Sequence, residues 1–173
     1  MKQTTSPLPS EEDTSLRRET YDTLLPQLRS LVDGERNFIG VLANVTALLR
    51  QTFGERFFWV GFYLVEGKEL TLGPFQGTVA CFRIGYGRGV CGTTWAQGKT
   101  IIVDDVEEFP GHIVCSSLAR SEIVVPLHDN NGTIVGVLDI DSTDLAAFDD
   151  NDRQGLEAIC QLLAPLFNSD NNK

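Results

Sequence analysis

The chain has 173 residues, 42% of them hydrophobic, and carries 24 acidic against 14 basic side chains for a formal charge of −10. That size fits one domain around one core, and the apolar fraction excludes a disordered chain. The acidic balance opposes nucleic acid and anionic membranes as partners, and the longest apolar run, FFWVGFYLV at 57–65, is too short to cross a bilayer as a helix.

The opening MKQTTSPLPSEED holds no apolar signal-peptide segment, so a cytoplasmic protein is expected. Residues 1–14 read as a flexible tail and 15–173 as a single domain with N-terminal helices. Leu16, Leu24, Leu25, Leu28 and Leu31 predict an amphipathic helix over 15–32, kinked or interrupted at Pro26. After Asp33-Gly34 a second helix is expected to about Phe53, with Phe38, Val41, Leu42, Val45, Leu48 and Leu49 on its apolar stripe. The period then changes to two. Residues 57–65 read as a strand, 66–68 as a turn and 69–74 as the hairpin partner. The Gly-rich stretch 85–92 leads into a short helix ending near Gly98, and 100–103 reads as another strand. A second hairpin joins 122–127 to 133–141 through Asp129-Asn130-Asn131-Gly132, and a last helix spans 149–167 with acids in its first turn. These elements predict an α+β fold, a mainly antiparallel sheet with helices packed on one side.

Four cysteines in a reducing compartment, with no CxxC pair, leave reactive thiols as an open reading beside inert buried ones. Cys160 falls among Leu156, Ile159 and Leu163 at helical spacing and reads as core. Cys81, Cys91 and Cys115 fall in turns or irregular segments, where solvent reaches a thiol. His112 and Cys115 have tolerable zinc spacing, but further ligands come singly and far apart. GRGVCG at 87–92 matches GxGxxG without a surrounding βαβ unit; its glycines better suit a turn exposing backbone N–H groups at a helix start, able to hold a carboxylate. In the strand 57–65, Phe58, Val60, Phe62 and Leu64 are expected under the helices. Trp59 and Tyr63 flank Gly61 on the other face, either as packing or as the wall of a small-ligand site. Asp139 and Asp141, at i and i+2, share a face, and the hairpin brings Glu122 and the region of Cys115 towards the same sheet end. Buried carboxylates side by side are costly, so a site is the better account of them.

WVGFYL, GRGVCGT, HIVC followed by SEIVVPL, GVLDIDS and three cysteines spaced by 10 and 24 residues together resemble the free methionine-(R)-sulfoxide reductases, small enzymes on a single GAF domain. The resemblance runs from about Phe38 to the last helix. It implies a GAF-like fold and thiol-dependent reduction of free L-methionine-(R)-sulfoxide to methionine through a cysteine sulfenic acid and an intramolecular disulfide. By the same resemblance Cys115 is the attacking thiol, and Cys81 and Cys91 resolve the sulfenic acid, Cys81 first. Glu122, Asp139 and Asp141 bind substrate, with Glu122 and Asp141 sharing the acid work, and Trp59 and Tyr63 receive the methyl-sulfoxide end. It also implies no bound cofactor or metal, reducing equivalents from a thioredoxin-type donor, and a homodimer. The alternative on this fold is a small-molecule or redox sensor without turnover. Ser116 departs from the family pattern, which often has an aspartate there.

Overall fold

The structure, a computed structural model, describes residues 11–167. Its elements are α1 (Glu11–Val32), α2 (Phe38–Phe53), β1 (Trp59–Glu66), β2 (Glu69–Gln76), β3 (Arg83–Gly85), α3 (Gly89–Gln97), β4 (Ile101–Val103), β5 (Ser121–His128), β6 (Ile134–Ser142) and α4 (Asp150–Leu163). Six strands form one sheet in the order β3-β2-β1-β6-β5-β4, each neighbouring pair antiparallel. The expected α+β fold is thus present. Among the described residues no helix is long and apolar enough to cross a membrane.

The sheet divides two apolar layers. On one face Val60, Phe62, Ile123, Val125, Leu138 and Ile140 pack beneath α1, α2 and α4, which contribute Leu24, Leu28, Leu42, Val45, Leu49, Leu156, Ile159 and, as expected, Cys160. Each fully buried aliphatic side chain there stabilises the fold by about 1.5–3 kcal/mol. On the other face Trp59, Tyr63, Leu70, Val124 and Val137 pack with Val90 and Cys91 of α3. Helices therefore cover both faces, three on one and the short α3 on the other.

Hairpin chemistry fixes the register of the central strands. Asp129 Oδ1 accepts from the backbone N–H of Asn131 (2.8 Å) and Thr133 (2.9 Å), and Gly132 takes the left-handed conformation that closes the β5–β6 turn.

Several expectations are corrected. Helix α1 begins at Glu11, not Ser15, so residues 11–14 of the expected tail are helical, whereas 1–10 lie outside the described residues. Pro26 does not interrupt it: proline sits on the solvent side, and the carbonyl it leaves unbonded belongs to exposed Asp22, where water reaches it. Leu16 and Leu31 are exposed, and Tyr21 takes the inward position instead. Phe57 packs with the helices and Phe58 with the opposite layer, the reverse of the expected alternation, because the pleat begins only at Trp59, after a 3₁₀ turn over 54–56. The short strand β3 was not expected.

One polar assembly pins α1 and α4 to the entrance of β1. Asp152, fully buried, receives two hydrogen bonds from Arg56 (2.8 and 2.9 Å) and one from Tyr21 Oη (2.8 Å), and completes a capping box with Asp149 at the start of α4. Gly155 lets the Tyr21 ring lie flat against α4, since a Cβ there would overlap the ring carbons. Gly→Ala in a helix ordinarily stabilises by about 1 kcal/mol, but overpacking costs roughly 1–3 kcal/mol. Gly155→Ala is therefore expected to lower the unfolding free energy measured in urea, the opposite of the propensity effect.

Candidate active site

β6 lies between β1 and β5, and its pairings set out the site row by row. Trp59, Asp141 and Glu122 stand side by side across the three strands, and Gly61, Asp139 and Val124 form the next row. Directly paired residues share a face, so all three carboxyls project from the side opposite the α1–α2–α4 layer. That is the arrangement expected from the i, i+2 spacing and the hairpin. Glu122 (6% exposed) and Asp139 (7%) are buried, and Asp141 is half-buried.

Above this floor, Trp59, Tyr63, Cys91, Cys115, Glu122, Asp139 and Asp141 all line one cavity, together with Arg88, His112 and Gly89. Cys81 does not line it but is bonded to Cys115 in a disulfide across it. The cavity measures about 40 Å³, room for a few waters where roughly 10–15 Å³ holds one.

The aromatic wall is tied to the cysteine segment. Trp59 Nε1 donates to Thr78 O (2.9 Å) and Tyr63 Oη donates to Cys81 O (3.0 Å). The space expected over Gly61 is filled: the indole of Trp59 leans across it, where a Cβ would overlap the ring, and stacks with Phe75 at 5.3 Å. The glycine thus seats the tryptophan, and the cavity opens beyond the ring.

Cys91 corrects a second expectation. It lies not in a solvent-reached turn but in the first turn of α3, 3% exposed, because that helix packs its inner side on the sheet. Its thiol stands 4.0 Å from Glu122 Oε1. Burial, then the charges of Asp139 and Glu122, push the thiol pKa well up, so it stays protonated. Cys115, which lines the cavity, and its partner Cys81 are half-buried. The GxGxxG stretch makes the tight turn into α3, with Gly87 N–H on Gly92 O (2.9 Å) and a Cβ at Gly92 excluded by Gly85 O. Arg88 supplies no side-chain cap, so the first N–H groups of α3 have no capping side chain beside the cavity.

The acids are not equivalent. Burial, reinforced by the charges of Asp139 and Asp141, raises Glu122 well above the carboxyl range, and burial with the charge of Asp139 does the same to Asp141. Asp139 is pushed by burial only to about 6, because hydrogen bonding with Cys91 and Glu122 favours its anion. At neutral pH the trio therefore holds one carboxylate, Asp139, one row away from two carboxylic acids. His112, missed as a lining residue except as a zinc candidate, is kept neutral by burial and has its Nδ1 buried without a hydrogen-bond partner.

A GAF-domain family profile matches residues 35–168. The chain is 58% identical to GAF domain-containing protein A of Dictyostelium discoideum, over 85% of this chain and 92% of that protein. It is 46% identical to the free methionine-R-sulfoxide reductase of Escherichia coli, over 91% and 94%. Among solved structures it resembles the free methionine-R-sulfoxide reductase of Neisseria meningitidis in complex with its substrate, with a TM-score of 0.83, 48% identity and 92% coverage of both chains.

A carboxyl whose folded pKa lies above its unfolded value contributes its full stability below the unfolded value and loses it as pH climbs through the folded one. Asp139 thus destabilises the fold above about pH 6. Asp139→Asn is expected to be more stable than the parent at pH 8, by about 3 kcal/mol, with the gap closing towards pH 4. Urea denaturation at the two pH values measures it.

Proposed function

The chain belongs to the GAF-domain family and, within it, to the free methionine-R-sulfoxide reductases; on that premise we propose that Cys115 is its attacking thiol and the carboxyl trio its acid and ammonium site. The observation that carries this reading is the placement of Cys115 over Glu122, Asp139 and Asp141 in one cavity, already joined to Cys81.

Methionine sulfoxide is a neutral S=O group on a zwitterion. The Cys115 thiolate attacks sulfur, and oxygen leaves only if it is protonated or strongly hydrogen-bonded. Glu122, a carboxylic acid at neutral pH through burial, donates that proton, with Asp141 beside it in the same row sharing the work. Asp139, the anion of the trio, binds the substrate ammonium, a group that a peptide-bound residue lacks. The uncapped amides at the start of α3 receive the α-carboxylate. Trp59 and Tyr63 enclose the methyl end.

The electron balance closes with two thiols. Attack forms an S–S bond between Cys115 and the substrate as the protonated oxygen leaves as water. Water then attacks the Cys115 sulfur, the S–S bond breaks, methionine leaves and Cys115 keeps the hydroxyl as a sulfenic acid. The Cys81 thiol displaces it as water, forming the disulfide. The Cα atoms of the pair are 5.4 Å apart, within the ordinary range for such a bond. Cys91, buried and protonated, is the reserve resolving thiol. A thioredoxin-type dithiol returns the two electrons, and no bound cofactor takes part. The disulfide-bonded form is the state after turnover, and its reduction returns Cys115 and Cys81 to thiols. A cytoplasmic homodimer completes the reading.

Incubating the reduced protein with each free sulfoxide epimer tests it. The (R) epimer should give one methionine for every two thiols lost, and Cys115→Ser should give none. Ligand binding without methionine would establish the sensor alternative instead. Cys81→Ser is expected to release about one methionine per chain and then slow to the pace of Cys91, seen as a burst in single-turnover assays. Glu122→Gln is expected to reduce kcat by about 10²–10⁴ while retaining substrate binding.

A further inference from the structure

The cavity contains a donor set with chemistry the reduction does not require. Cys91 Sγ and one carboxylate oxygen each from Glu122 and Asp139 lie within 4.8 Å of one another, all on buried residues. Asp139 is 7% exposed, lines the cavity, and its Oδ1 has no hydrogen-bond partner. A buried carboxylate oxygen without a donor is costly, and a cation bound by the Asp139 carboxylate offsets that cost. No lysine lines the cavity, and its one arginine, Arg88, is exposed at the rim.

We propose that Cys91, Glu122 and Asp139 form a three-donor site for a zinc-like divalent cation that competes with the sulfoxide substrate. The choice of ion follows from the donors. Magnesium and calcium take six or more oxygens and reject a thiol, whereas zinc accepts sulfur and carboxylate oxygen together. Bond lengths of about 2.3 Å to sulfur and 2.0–2.2 Å to oxygen set tetrahedral donors roughly 3.3–3.6 Å apart. That spacing is reached from the present one, up to 4.8 Å, by closing the three side chains on the ion by about 1 Å. The cavity volume accommodates an ion with one water. The protons of the Cys91 thiol and the Glu122 carboxyl pass to solvent on binding, and no oxidant or reductant is involved. Neither Cys81 nor Cys115 is needed, so the disulfide-bonded protein binds the ion as well. Binding is independent of the reaction; the competition rests on the proposed function, in which Asp139 binds the substrate ammonium and Glu122 protonates its oxygen.

Titration of the disulfide-bonded protein against a chromogenic zinc indicator tests the site. Uptake of one equivalent is expected, weakened at least tenfold in both Cys91→Ser and Asp139→Asn and unchanged in Cys160→Ser. Cobalt(II) loading should give a thiolate charge-transfer band that disappears in Cys91→Ser. Absence of uptake, or uptake indifferent to both variants, overturns the site. In Cys115→Ser, which retains all three donors, free methionine-(R)-sulfoxide should raise the apparent zinc Kd. Simultaneous binding of both overturns the competition and leaves the reductase reading intact. Methionine release by the parent without added zinc reports on that reading separately.

Discussion

Three carboxyl groups held out of water on one face of a sheet are the constraint to which the other features of the site answer. Like charges so close in a dry place cannot all ionise. The register of β1, β6 and β5 places Glu122 beside Asp141 and sets Asp139 one row away. Protons therefore settle on the two in the Trp59 row, and the charge settles on Asp139, which has a thiol and a carboxyl to stabilise it. A fold with these groups solvated would be easier to make, but it would have no acid of raised pKa at neutral pH.

The opposite face supplies the compensation. Its layer of Leu, Val, Ile and Phe side chains beneath three helices is almost free of polar groups, apart from the Asp152 assembly at its edge. That assembly is well satisfied: Arg56 also reaches Ala147 O at 3.1 Å and lies over the rings of Phe53 and Phe57. Removing one partner from such a buried group is costly. The loop after β6, and with it the end of the strand carrying Asp141, is therefore anchored from the side remote from the cavity.

Much of this was legible in local patterns. Alternation along 134–142 and the Asp-Asn-Asn-Gly turn were enough to place Asp139, Asp141 and Glu122 together, because period two and a tight hairpin leave little freedom. Heptad-like spacing marked α2 and Cys160 correctly. What escaped depended on distant partners. Phe57 and Phe58 exchanged faces because a 3₁₀ turn, with no strong sequence marker, delays the pleat. Leu16 and Leu31 fit a helical stripe, yet Tyr21 faces inward because Asp152 and Gly155, more than 130 residues away, accept its hydroxyl and its ring. Cys91 looked accessible because nothing local in GRGVCGT indicates that α3 lies on the sheet. Glycine at 61 looked like room for a ligand, whereas it is room for the neighbouring indole.

The two aromatics bear on timing as well as recognition. Tyr63 holds the carbonyl of Cys81, and Trp59 holds Thr78 three residues earlier, so the segment carrying Cys81 hangs from the two side chains that, in the proposed reaction, enclose the methyl group. Grip on the substrate and reach of the resolving sulfur thus share one mechanical support. In the proposed reaction, loosening that wall would prolong the life of the sulfenic acid and leave it open to further oxidation, so part of the enzyme's durability would reside in residues that never exchange an electron.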